Sequence, residues 1–529
     1  MARTNCFERD DFVKELKLGS VFYISVTIVT LFVLWGFIFP DHLEQQASSA
    51  LAFTTESFGW FYLMATFFFL AFAFYLAFGP YGKIKLGEDD DEPEYPYYTW
   101  FAMLFSAGMG IGLVFWGVAE PIYHFITPPF GIAEGLTPDA ARYALRYSFF
   151  HWGLHPWAIY TIVALALAYA QFRKGESGLI SSTFRPLIGD RVDGAVGKGI
   201  DTLAAIATAF GVATSLGLGT LQINGGLSYV FGIPNTITVQ MLIILIVTIL
   251  YMVSATTGLN RGIRYLSNLN LGLAIGLLLF VLFVGPSSFI LDAFTTTIGG
   301  YLGNIIPMSF RMTPFSQGTW VGAWTLFYWA WWIAWAPFVG SFIARVSKGR
   351  TVKEFVLGVL LVPSIFGTFW FAAFGGSAIF FDLFQQGGIS EAVSSDVTTA
   401  LFITLEQFPL GMILAFLATF LIITFFITSA DSATFVLGML TSKGVLNPAN
   451  STKLIWGFLQ SSIAAVLLWS GGLGGLQTAS IVAALPFAII MIFMVFSLIK
   501  ALNEEVREEK RKEKRRRKKL DELLKQSQQ

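Results

Sequence analysis

Twelve stretches of this chain are each apolar over about the 20 residues that an α-helix needs to cross the hydrocarbon of a bilayer. They run near 20–40, 57–79, 98–118, 148–172, 202–231, 238–257, 267–289, 320–344, 354–381, 408–441, 455–471 and 478–499. Backbone polar groups at that depth must be satisfied within the segment, so an all-α integral membrane protein with twelve transmembrane helices is expected. Charge agrees: only 13% of the 529 residues are charged, against about 25% in soluble domains. That composition excludes a disordered chain, a nucleic-acid binder and, with Cys6 the single cysteine, a disulfide scaffold. The first apolar run is too long for a signal-peptide core and lacks a small-residue cleavage site after it.

An even number of spans puts both termini on one side, and basic residues choose the side. Arg142, Arg146 and Arg311 fall on one face; the other 31 of 34 Lys and Arg fall opposite, which makes that face and both termini cytoplasmic. The segment 291–319 between spans seven and eight reads as a linking amphipathic helix at the outer interface. It separates two blocks of five spans, 98–290 and 320–500. Because five is odd, the blocks must be oppositely oriented, as in transporters built from inverted repeats. A cytoplasmic N-terminus (1–19), two extra helices with an acidic loop (20–97) and a charged tail (501–529) complete the layout.

Five spans carry unusual chemistry. In the third, Ser106-Ala107-Gly108-Met109-Gly110-Ile111-Gly112 places three glycines at alternate positions, each costing about 1 kcal/mol of helix relative to Ala. Local unwinding there would free carbonyls toward a cavity; close helix packing through small residues is the alternative. Glu120-Pro121 is expected to end this span. In the eighth, Phe327, Trp331, Trp335 and Phe338 form one helical stripe, with Trp329 and Trp332 off it. Interfacial tryptophans sit at span ends, whereas these lie near mid-span, where aromatic cages hold quaternary ammonium groups. The fourth span adds Trp152, Trp157 and Tyr160, with Pro156 set to kink the helix between them. Its His151 and His155 lack a local acidic or cysteine partner and read as structural. The tenth holds Thr428 and Ser429, oxygen ligands of the kind alkali cations accept, and Asp431 near a wet span end. Span five contributes Thr208 and Thr214. Nothing fits a phosphate-binding loop or a catalytic motif, so an ion gradient is the natural energy source and an enzyme is not expected.

The run Gly108-Met-Gly-Ile-Gly-Leu-Val-Phe-Trp-Gly-Val-Ala-Glu-Pro121 resembles one signature of the betaine/choline/carnitine transporter family. Trp324-Thr-Leu-Phe-Tyr-Trp-Ala-Trp-Trp-Ile-Ala-Trp335, continued by Pro337 to Arg350, resembles the other. The resemblance implies a fold like the sodium-coupled leucine transporter, with two inverted five-helix repeats after two N-terminal helices. It also implies sodium-coupled uptake of glycine betaine or a related zwitterion, a homotrimer in the cell membrane, and no cofactor. On matching positions, Trp152, Trp157 and Tyr160 would line one side of a cage and Trp331, Trp332 and Trp335 the other, with Phe327 as a gate. The substrate carboxylate would meet backbone at Ala107, Gly108, Met109 and Gly110. One sodium would take the carbonyls of Ser106, Met109 and Phe425 and the hydroxyls of Thr428 and Ser429; a second would take Thr208 and the ring of Phe338. Sodium-coupled relatives carry a second Thr one turn after Thr208, where this chain has Val212. Choline, carnitine and ectoine remain alternatives of the same family, and a channel an alternative of another class. The basic cluster Arg511–Lys519 on the tail suits anionic lipid, at about 1 kcal/mol per basic residue.

Overall fold

The computed structural model describes residues 18–108, 110–257, 260–445 and 447–527. The secondary structure of those residues is helical; their only β-pairing is an isolated bridge between Lys85 and Thr351. Among the described residues, ten helical stretches, with Pro138–Arg173 taken as one, are long and apolar enough to cross a membrane. The helices are α1 (Ser20–Ile38), α2 (Pro40–Phe78), α3 (Tyr97–Gly108), α4 (Ile111–Ile126), α5 (Pro138–Trp152), α6 (Leu154–Ala168), α7 (Ala195–Phe231) and α8 (Ile237–Thr257). After them come α9 (Asn260–Val284), α10 (Ser287–Ser309), α11 (Phe327–Val346), α12 (Val352–Gln385), α13 (Ile389–Ser395), α14 (Ala400–Glu406), α15 (Gly411–Thr441) and α16 (Asn450–Ser527).

Of the twelve apolar segments, one is split between two shorter helices and two share one long helix. The third segment is interrupted: α3 stops at Gly108, Gly110 is extended (φ −153°, ψ −179°), and α4 starts at Ile111. Neither half alone is long enough to span. The last two segments are joined in α16, which bends at Gly472 (φ 54°, ψ −138°). A side chain there would be strained, because only glycine visits that region freely.

Local chemistry sets other boundaries. Thr137 caps α5 by accepting from the Ala140 N–H at 3.2 Å, with Pro138 in the first turn where its missing donor costs nothing. Thr351 and Glu354 form a reciprocal capping box at the start of α12. Between α5 and α6 the chain breaks at Gly153 rather than kinking at Pro156. Pro156 then falls in the first turn of α6, where a proline is tolerated. Glu120-Pro121 does not end its helix either; α4 continues to Ile126.

The interior is built on the α5–α6 pair and α7, whose most apolar windows are 100% and 89% buried. At the periphery, α1, α8 and α9 bury only 22%, 28% and 28% of theirs. Their outward side chains include Leu31, Phe37, Leu245, Ile249 and Phe283. An apolar exterior around a packed interior is the arrangement expected of a protein dissolved in lipid.

One end of the molecule is clipped together by polar contacts. Leu86 exchanges backbone bonds with the turn between α11 and α12: Leu86 N–H to Arg350 O at 2.8 Å, and Gly349 N–H to Leu86 O at 2.8 Å. Arg350 stacks over Tyr97 and Trp100 at 4.2 and 4.6 Å. Arg173 joins the acidic loop to the tail helix by pairing with Asp89 at 2.6 Å and Glu505 at 2.5 Å.

Candidate substrate-binding site

A cavity of about 1070 Å³ lies beside the α3–α4 interruption, and its lining extends to Glu176, Arg345 and Gly444. Its inner end is aromatic. The Trp331 and Trp332 rings stack at 4.7 Å and 14°, and Trp152 stands against Trp332 at 4.8 Å and 77°. Trp152 is also nearly perpendicular to Trp331, at 6.2 Å and 89°. The two planes therefore make a corner. Tyr160 faces Trp332 edge-on at 6.2 Å, and Trp157 meets Tyr160 at 5.4 Å.

The sequence builds this corner from two devices. The break at Gly153 lets Trp152 close α5 while Trp157 and Tyr160 ride on α6, so all three line one cavity. Gly112 supplies the space: a Cβ there would lie 2.5 Å from Cη2 of Trp331 and 3.3 Å from Cη2 of Trp152. No side chain fits without moving the indoles. Gly211 serves Trp335 similarly, with a Cβ falling 2.8 Å from its Cδ1.

Four of the five indoles that line the cavity have their N–H satisfied by a protein acceptor. Trp152 donates to Glu120 Oε2 (2.8 Å), Trp331 to Ser215 Oγ (3.2 Å), Trp332 to the His151 carbonyl (3.1 Å) and Trp335 to the Gly211 carbonyl (2.6 Å). A buried indole donor needs a partner, and meeting that need in the wall leaves the ring faces for a ligand. Ring faces are negative and attract a cation that has no hydrogens to donate, at about 0.5–2 kcal/mol per contact.

The cavity also touches Ser106 and Gly110 at the interruption and Phe425, Thr428 and Ser429 on α15. The Thr428 hydroxyl lies 3.0 Å from the Thr424 carbonyl and 3.2 Å from that of Phe425, and Asn270 approaches it at 3.4 Å. Ala107 and Gly108 form the last turn of α3. Met109 lies outside the described residues.

Not every expected residue meets the cavity. Phe327 is wholly buried and stacks behind Trp331 at 5.5 Å, rather than lining the space. Thr208 is buried on α7 and donates to the Ala204 carbonyl at 2.7 Å, whereas Phe338 does line the cavity. Thr214 bonds Ser480 at 2.7 Å and ties α7 to α16. Trp332, off the ideal stripe, lines the cavity because its ring lies flat on that of Trp331; Trp329 turns away and stacks on His155 at 5.1 Å. His155 bonds Ser309 of α10 at 2.8 Å.

Several contributors were not among the residues that the sequence motifs named: Ser215 on α7, Ser267 and Asn270 on α9, and Pro363 and Phe366 on α12. His151 does have an acidic neighbour after all: Glu120, 31 positions earlier, at 2.6 Å, with His124 close by. Small residues at Gly211 and Ser215, one turn apart facing α11, were the available hint.

Comparison with known proteins identifies the family. A family model described as BCCT, betaine/carnitine/choline family transporter, matches residues 20–507. The glycine betaine transporter OpuD of Bacillus subtilis (strain 168) is 57% identical over 490 residues, covering 92% of this chain and 95% of that protein. An ectoine/hydroxyectoine transporter of Virgibacillus pantothenticus is 50% identical, covering 93% and 98%. A probable glycine betaine transporter of Desulfitobacterium hafniense (strain Y51) is 49% identical over the same shares. The chain is therefore a membrane transporter, not an enzyme, and belongs to the betaine/carnitine/choline transporter family.

Proposed function

We propose that the protein is a sodium-coupled symporter that imports glycine betaine, or a similar quaternary ammonium osmolyte, by alternating access. One observation carries the reading: four indoles line a single cavity while their N–H groups are bonded to the protein, which leaves ring faces as the recognition surface. A trimethylammonium group offers no donor, so hydrogen bonds cannot select it and π faces can. Its carboxylate has backbone at the end of α3 and around Gly110 to meet. Sodium would sit where Ser106, Met109, Phe425, Thr428 and Ser429 converge, its binding free energy favouring closure of the site. A second sodium at Thr208 and Phe338 has weaker support, since Thr208 is tied to its own helix.

The same reading makes the interrupted α3–α4 one span and bent α16 two, for twelve crossings and two inverted repeats of five after α1 and α2. The loops rich in Lys and Arg are then cytoplasmic, with both termini, and the cavity opens inward in the cell membrane. The family resemblance favours a homotrimer, and the basic tail favours anionic lipid.

A second reading, ectoine uptake, is favoured by the Virgibacillus pantothenticus relative. Labelled glycine betaine uptake into proteoliposomes, competed by ectoine, choline and carnitine with and without sodium, separates the two. Saturable accumulation that requires an inward sodium gradient and yields least to ectoine supports the first reading. Equal accumulation without sodium refutes the coupling.

A further inference from the structure

The cage has a keystone outside the cavity. Glu120 on α4 is wholly buried and does not line the substrate space. A carboxylate removed from water is tolerated only if its oxygens are bonded, and here both are. Oε2 accepts from the Trp152 indole at 2.8 Å and from the Tyr328 hydroxyl at 2.6 Å. Oε1 lies 2.6 Å from His151 Nδ1, with His124 Nε2 at 3.4 Å. His151 is held in turn by Thr325 at 3.0 Å through its other nitrogen. These partners come from α4, α5 and the α11 segment, so the carboxylate is fixed from three directions.

We propose that Glu120 is a positioning residue that fixes the face of Trp152 toward the cation. The proposal rests on the cage reading above. Trp152 is the last residue of α5, next to the Gly153 break, so its backbone alone does not lock its ring. Its N–H bond to Glu120 removes the rotation about the side chain that would swing the indole out of the corner with Trp332. A buried carboxylate bonded at both oxygens, to Trp152 and Tyr328 on one and His151 on the other, holds these side chains in one arrangement. An anionic acceptor on the indole N–H also pushes electron density toward the ring faces, strengthening their pull on a cation.

The test is a double-mutant cycle on the full-length protein in detergent or nanodiscs, reading equilibrium binding of labelled glycine betaine. Glu120→Gln is expected to weaken binding about tenfold and to lower the preference for glycine betaine over dimethylglycine. In a Trp152→Phe background the same change is expected to cost less than twofold, because the phenyl ring has no N–H to hold. Tyr328→Phe takes one donor off the same oxygen and keeps the charge; should Glu120→Gln fail to fold, it runs the same cycle with the same expected loss of coupling. Equal losses in both backgrounds overturn the role of Glu120 while leaving the cage intact. Wild-type protein that binds no quaternary ammonium compound overturns both.

Discussion

Trp332 and Trp152 are where a single side chain has the most to lose. A cation–π contact is worth about 0.5–2 kcal/mol, so removing one ring face weakens binding by up to about 30-fold. Trp332→Leu is expected to abolish saturable betaine uptake at substrate concentrations that saturate the wild type, with membrane expression unchanged; an unaltered apparent KM would contradict the cage. Gly112→Ala places a methyl 2.5 Å from Trp331 Cη2, so the ring must move. Its expected result is a roughly tenfold rise in KM in transport assays, and a KM within twofold of wild type would mean that the indole gives way freely. On α15, Thr428→Val removes a hydroxyl beside the Phe425 carbonyl; the sodium titration of uptake should shift to several-fold higher concentration while betaine still binds at saturating sodium. Most aromatic residues of the site were legible because they are local in sequence and repeat at helical spacing. The Glu120–Trp152 bond was not, since it joins residues 32 apart on different helices. Trp332 lies off the helical stripe and was assigned to the cage by the family resemblance, not by spacing; its ring reaches the cavity beside Trp331, on which it stacks.

Among the helices, interruptions decide the geometry more than lengths do. Glycines at alternate positions announced the α3–α4 break, and the break lies where they stand. The α5–α6 corner was foreseen but assigned to Pro156. The chain instead breaks at Gly153, because a proline costs nothing once it sits in the first turn of a new helix. Glu120-Pro121 misled in the same way, since Pro121 stays inside α4. The acidic loop and the tail helix meet through a shared cation: Asp89 and Glu505 both pair with Arg173. Gly472 gives this scale its prediction. Its φ of 54° and ψ of −138° strain any side chain by about 1–3 kcal/mol. Gly472→Ala is expected to lower the melting midpoint of the purified protein in detergent by a few degrees, followed by fluorescence-detected size exclusion; an unchanged midpoint would mean that α16 straightens without cost.

For the whole molecule, apolar segments carried the helical organisation, because lipid imposes length; the basic loops bear on orientation, which belongs to the proposal. Helix ends, the α10 packing and the residues lent by α9 and α12 were not legible, since they depend on which helices become neighbours. The positive-inside layout makes its own prediction: a fluorescent protein fused after Gln529 should light up, and alkaline phosphatase fused there should stay inactive. The opposite pattern would invert the orientation. The central claim, a π corner that selects a fully methylated nitrogen, is tested most directly by binding affinity across glycine betaine, dimethylglycine, sarcosine and glycine on one purified preparation. Affinity should fall at each methyl removed, because every N–H gained prefers water to a ring face. Equal affinity for glycine and glycine betaine would contradict the account.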